Sequence, residues 1–202
     1  MKWIVVFALV IGFSWAHPSQ FSTDTVTREE WPLLPTWCRH TQAPNPYGPT
    51  ENAVAPSPKA QRLINTIGID GWKAVHHYCW GLAKLHRSFR AGLSSTERDF
   101  LRNGAVGEID YVLEHSPTNF ILRPELLAKK GSILLLLGMD RQAEDELKAA
   151  IGMYPAYWPS YGYLADVYLK QGNKDAARKV LKAGLEAAPE AKGLKNRLAA
   201  LK

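Results

Sequence analysis

Apolar residues in the second half of the chain fall into a pattern that returns every 34 positions. Leu127, Gly131 and Leu134 are answered by Tyr161, Ala165 and Tyr168. Gly138, Ala143, Leu147, Ala150 and Pro155 are answered by Gly172, Ala177, Leu181, Gly184 and Pro189. Spacings of three and four put the large and small residues of each unit on one helical stripe. The glycine ends the first helix, and the proline ends the second. Small residues let paired helices approach closely while large ones fill the space beside them. The pattern predicts two helix–turn–helix units, with helices over 126–137 and 141–153, then 159–171 and 174–187. Residues 192–201 read as a terminal helix covering the exposed end of the stack.

Polar punctuation extends the helical reading toward the N-terminus. Ser57-Pro58 reads as an N-cap and first helical position, with Gly68 as the stop. Asp70 is expected to cap a helix from about Gly71 to Arg90. Ser94 with Glu97 three positions on is a capping box, opening a helix from Ser95 to His115 before Pro117. Residues 17–58 hold eight of the thirteen prolines. A run such as Ala43-Pro44-Asn45-Pro46-Tyr47-Gly48-Pro49 sustains neither helix nor ladder. It reads as an extended, irregular arm, partly ordered where Trp31, Leu33, Leu34 and Trp37 bury apolar surface.

The first sixteen residues differ in kind. Met1-Lys2, the apolar run Trp3 to Phe13, and small residues before a cleavage point after Ala16 make a secretory signal peptide. This predicts export, most simply to a bacterial periplasm. The expected division is 1–16 signal peptide, 17–56 Pro-rich arm, 57–117 N-terminal helical region, and 118–202 two repeats with a capping helix. The two cysteines, Cys38 and Cys79, are an even pair in an exported chain, which argues for a disulfide tying arm to helices. Closing a loop of this length is worth roughly 4 kcal/mol on a chain-entropy model.

The formal charge is +6, unevenly spread. From Ala156 onward nine Lys or Arg face four acids. That basic end suits an acidic protein partner or an anionic membrane surface, or is simply a solvated face. Export argues against nucleic acid.

The 34-residue pattern resembles the tetratricopeptide repeat family, closely over 124–157 and 158–191. A degenerate earlier unit puts Cys79, Leu82, Ala83 and His86 at the first-helix packing positions and Ala105, Ile109 and Val112 on the second helix. About ten extra residues then intervene near Ser88–Arg98. The resemblance implies an all-α superhelix whose groove, lined by first helices, holds a protein partner. On that pattern the groove residues are Glu125, Ala128, Ser132 and Leu135, then Gly162, Asp166 and Leu169. Trp37-Cys38 in a Pro-rich arm and the stretch His76-His77-Tyr78-Cys79-Trp80-Gly81-Leu82 also resemble a group of short exported bacterial repeat proteins.

Candidate chemistry is confined to Trp72–Arg87. His76, Cys79, Ala83 and His86 share one helical stripe, and His40 stands on the arm, so a metal- or cofactor-handling role is the alternative to partner binding. Against it, His76 and His86 lie almost three turns apart, about 15 Å along the axis, too far for one ion. A bridged Cys79 is no ligand. The competing expectation is that this stripe packs on the arm. His17, the expected mature N-terminus, has an amine and an imidazole suited to copper, but the copper oxygenases that use this pair are β-sandwiches. No nucleophile elbow, phosphate loop or Cys-x-x-Cys is present, so no catalytic residue, resident metal or cofactor is nominated. Tyr157, Trp158, Tyr161 and Tyr163 read mainly as core or junction packing, with peptide anchoring as the alternative.

Overall fold

The computed structural model describes residues 26–41 and 57–201. The expected signal peptide 1–16, His17 and the proline run 43–50 lie outside the described residues. Every regular element described is helical: a 3₁₀ turn at Trp31–Leu33, then α1 (Cys38–Thr41), α2 (Pro58–Ile67), α3 (Ile69–Arg87), α4 (Ser95–His115), α5 (Arg123–Leu136), α6 (Asp140–Met153), α7 (Pro159–Lys170), α8 (Lys174–Ala187) and α9 (Lys192–Ala200). The chain is all-α, with the helical-superhelix architecture of the repeats it resembles.

Helices α3/α4, α5/α6 and α7/α8 pack as hairpins, and each hairpin docks on the next through α4–α5 and α6–α7. First helices also meet directly, as α5 does α7. The turns within the last two hairpins are built alike. Gly138 and Gly172 adopt φ of 78° and 76°, a region costly for any residue with a Cβ.

Close approach of paired helices follows the small residues. A Cβ built on Gly131 would lie 2.6 Å from Leu147 Cγ and 3.1 Å from the Ala143 carbonyl oxygen. One on Gly81 would lie 3.1 Å from the Ala105 carbonyl oxygen and 3.7 Å from Ile109 Cγ1. Gly81 therefore occupies in the first hairpin the place Gly131 occupies in the second. The expected phase, with Ala83 at the small position, is two residues off. His77 and Lys84 consequently stand where Leu127 and Leu134 stand, and a carboxylate compensates. Glu108 takes His77 Nδ1 at 2.5 Å and Lys84 Nζ at 2.5 Å. Burial pushes the Glu108 carboxyl up, but the hydrogen bonds to His77 and Lys84 outweigh it and hold the group below the usual range.

Two start signals act as expected. Ser57 accepts from the Ala60 amide, and Ser94 and Glu97 form a reciprocal capping box. Asp70 does not cap α3, which begins at Ile69 directly after Gly68. Gly68, at φ 79°, both stops α2 and starts α3. The far end is closed by α9. Leu194 is fully buried in a cluster with Tyr161, Ala165, Ala177 and Leu181.

Candidate groove along the first helices

Gly81, Gly131 and Ala165 put the three first helices in a common register. In that register Glu125, Ala128, Ser132 and Leu135 of α5 correspond to Val75, Tyr78, Leu82 and Leu85 of α3. On α7 they correspond to Pro159, Gly162, Asp166 and Leu169. Spacings of three and four put each set of four on one stripe of its helix, beside the face that meets the second helix, so the sets form one strip crossing three helices.

The α3 third of this strip is covered by the protein's own arm. Val75, Tyr78, Leu82 and Leu85 are all buried, in one core with Leu34 and Cys38. Trp37 stacks on Tyr78 with ring centroids 6.2 Å apart. The Sγ atoms of Cys38 and Cys79 sit at bonding distance, 2.12 Å, with Cα atoms 5.8 Å apart. Glu30, buried, receives Arg87 Nε and Nη2 at 2.7 Å each and Arg90 Nη2 at 2.8 Å. Burial raises the Glu30 carboxyl, but the Arg87 guanidinium, the Thr27 amide and Arg90 more than reverse this and keep it ionised below the usual range. The arm is thus fastened at both ends, running from the C-terminal turn of α3 back to its middle. It is less extended than expected, since Trp31–Leu33 and Cys38–Thr41 each form a helical turn. Leu33 does not join the core and is 56% exposed.

The α5 third is partly open. Ala128 is fully buried. Glu125 accepts the Tyr78 hydroxyl at 2.8 Å, and burial together with this carboxylate drives the Tyr78 phenol far above its ordinary value. Ser132 turns its hydroxyl onto the Lys129 carbonyl of its own helix, 2.7 Å away. Leu135 is half-buried. Lys129 holds its ammonium over the Tyr163 ring, 5.7 Å from the centroid.

The α7 third is bounded by α9. Arg197 ion-pairs with Asp166 and donates to the Gly162 carbonyl at 3.3 Å. Between them lies a pocket of about 360 Å³ walled by Tyr157, Trp158, Pro159, Gly162, Tyr163 and Arg197. Of the four aromatics read mainly as packing, only Tyr161 is fully in the core. Trp158 covers Gly193 and is 39% exposed, while Tyr157 and Tyr163 are half-buried on the pocket wall. Tyr154, at the same junction, is exposed.

The histidines of α3 separate. His86 is half-buried and in hydrogen-bonding contact with the Leu33 backbone on the arm. His76 lies beside His77 and Trp80, at ring-centroid distances of 4.4 and 4.7 Å. Burial and the neighbouring His77 lower its pKa to about 4. Among the described residues no group of three His, Cys, Asp or Glu side chains converges as a metal ion would require. The stripe does pack on the arm, through Cys79 and His86.

Residues 134–198 match the tetratricopeptide repeat family model. A thermophilic TPR protein of Thermus thermophilus, known from its crystal structure, is similar over 71% of this chain and 78% of its own, with a TM-score of 0.56 and 20% identity. No curated protein matches. At that identity the structural likeness speaks for the fold alone.

Proposed function

We infer that this chain, whose second half is built of tetratricopeptide repeats, works as a periplasmic adaptor or envelope-complex assembly factor that holds a segment of a partner protein in its first-helix groove. Protein binding is the general role of this fold, and such repeats are typically scaffolds rather than catalysts. The observation that carries the finer reading is the arm itself. The strip on α3 already holds a polypeptide segment, through an aromatic stack, a buried carboxylate and apolar anchors. The continuing strip on α5 and α7 offers Ser132, Leu135 and Leu169, all partly exposed, beside an aromatic pocket. A rigid groove that binds a segment without rearranging loses little entropy in ordering itself.

The compartment rests on the sequence of Met1–Ala16 and the cysteine pair. The basic end adds a second contact for an acidic partner or an anionic membrane. Lys174, Lys179, Lys182, Lys192 and Lys195 are exposed on α8 and α9. Capture from native periplasm tests the reading by comparing wild type with Ser132→Arg, which fills the strip, and with Lys148→Glu on the outer face of α6. The partner should be lost with Ser132→Arg and kept with Lys148→Glu. Equal recovery by all three proteins refutes the groove, and recovery only from the cytosol refutes the compartment.

A further inference from the structure

The turns inside the three hairpins share one edge of the stack. Arg102, near the start of α4, donates to the Leu136 carbonyl at 3.1 Å. Lys170, at the end of α7, reaches the Leu135 carbonyl at 3.3 Å and Asp140 at 2.6 Å. The edge is not level. Helix α4 begins at Ser95, ten positions before Ala105, whereas α6 and α8 begin only three positions before Ala143 and Ala177. The first hairpin therefore overhangs the others by about 10 Å at 1.5 Å per residue. Leu33, Phe89, Phe100, Leu136 and Met139 lie on this edge, each at least 38% exposed, with the two phenylalanines at 59% and 61%. We propose that the turn edge seats this protein on an anionic bilayer, with the overhanging tip of the first hairpin among the lipid headgroups.

Three observations carry this. The first is charge. Asp99 pairs with Arg102, Asp140 with Lys170 and Asp175 with Arg178, while Glu97 is held in the capping box. Arg28 and Glu29 of the arm offset one another. Arg98, Arg141 and Lys174 pair with no carboxylate among the described residues, so the edge keeps a positive excess. The second is shape. Apolar residues are exposed at the opposite edge too, but there Phe120, Ile121, Pro124, Met153 and Tyr154 wall a pocket, the form that a protein side chain fills. On the turn edge the apolar side chains stand on separate turns. A protein interface must pack around its anchors, whereas lipid conforms to separate tips. The third is chemistry. Phe and Leu beside arginine match the composition of interfacial anchors, which sink about 5–10 Å into the headgroup boundary, the depth of the overhang. Arg102 lies over the Phe89 ring, 6.0 Å from its centroid, so cation and ring enter together.

Seated this way, the hairpins stand on the bilayer and the first-helix strip runs parallel to it. The groove stays open to a partner from the side. The inference does not rest on that groove, and its surface differs from the lysines on α8 and α9.

Flotation of the mature protein is measured with vesicles of equal parts phosphatidylcholine and phosphatidylglycerol, and with pure phosphatidylcholine. Binding is expected on the mixed vesicles only, and it should weaken as salt rises. Phe89→Ser with Phe100→Ser should lower partitioning at least about tenfold, as loss of two inserted rings requires. Arg98→Gln with Arg141→Gln should lower it about tenfold on the mixed vesicles. All four positions are partly or largely exposed, so both variants should keep the wild-type unfolding curve, which is recorded in parallel. Lys179→Gln, Lys182→Gln and Lys195→Gln together should bind like wild type. Equal binding to both vesicles, or a phenylalanine variant that partitions like wild type, overturns the proposal. Loss confined to the triple lysine variant moves the contact to α8 and α9 and overturns it as well. So does a wild type that ignores both vesicles, even where an acidic protein is then captured through Arg98 and Arg141. Any of these results leaves the periplasmic capture experiment standing.

Discussion

Replacing Gly131 by alanine tests the register on which the groove depends. Alanine is the better helix former by about 1 kcal/mol, so an exposed glycine in mid-helix should gain stability when changed. Gly107, exposed on α4 with nothing within 4 Å of a built Cβ, is that case. Gly131→Ala should go the other way. Its new methyl would sit 2.6 Å from Cγ of Leu147, a side chain with no exposed surface. Carbon atoms pack at about 3.5–4.0 Å, so Leu147 or the helix must yield by about 1 Å. Overpacking of this kind costs about 1–3 kcal/mol. Set against the propensity gain, the net loss is up to about 2 kcal/mol, or up to about 8 °C in Tm for a domain of this size. Gly81→Ala, with contacts of 3.1 and 3.2 Å, should fall between. Thermal or urea unfolding of the three variants gives the order Gly107→Ala above Gly81→Ala above Gly131→Ala. Stabilisation by Gly131→Ala equal to that by Gly107→Ala would refute the close approach of α5 and α6. The correspondence of positions across the strip would fall with it.

Other expectations follow from the same contacts. Ala177→Asp places a carboxylate at a site with no exposed surface, between α7 and α8. It should cost several kcal/mol, on the order of an uncompensated buried charge. A wild-type unfolding curve would mean the repeat phase is wrong. Free-thiol titration of the denatured, unreduced mature protein should find none, and Cys79→Ser should lower stability by about 4 kcal/mol or less. Two titratable thiols would contradict the pairing with Cys38. Because His76 titrates at about 4 when folded, below the ordinary histidine range, the unfolded chain binds the extra proton in the interval between. Stability carried by this group is complete above the ordinary value and lost as pH falls toward 4. His76→Gln should flatten denaturation midpoints over that window, and an unchanged pH slope would remove the buried neutral imidazole from the account.

The later hairpins are legible in the sequence because each position obeys one local rule. Gly138 and Gly172 stop helices through their conformational freedom, and Gly131 and Ala165 mark contacts by size. The first hairpin misleads because two small residues, Gly81 and Ala83, stand near one another, and only contact with Ala105 decides between them. The true phase puts His77 and Lys84 at positions that are apolar in the second hairpin. A pattern of apolar residues cannot reveal this, because Glu108, which satisfies both, comes from another helix. The arm's place on the groove is half visible, through Cys38 and Cys79. Glu30 escapes notice because it stands beside Glu29 in an aperiodic arm with nothing to single it out, and its partners Arg87 and Arg90 lie 57 and 60 residues away. The cover given by Arg197 to Gly162 and Asp166 is hidden for the same reason. A groove pattern read along α7 alone carries no record of α9.

Hydroxyl-radical footprinting of the complex with its captured partner tests the central claim most directly. The account predicts that Leu135, Tyr163 and Leu169 lose reactivity on binding. Phe100 and Tyr111, exposed on α4, should keep theirs. Protection of Phe100 and Tyr111 with Leu135, Tyr163 and Leu169 unchanged would place the partner on the opposite face and contradict a groove formed by the first helices.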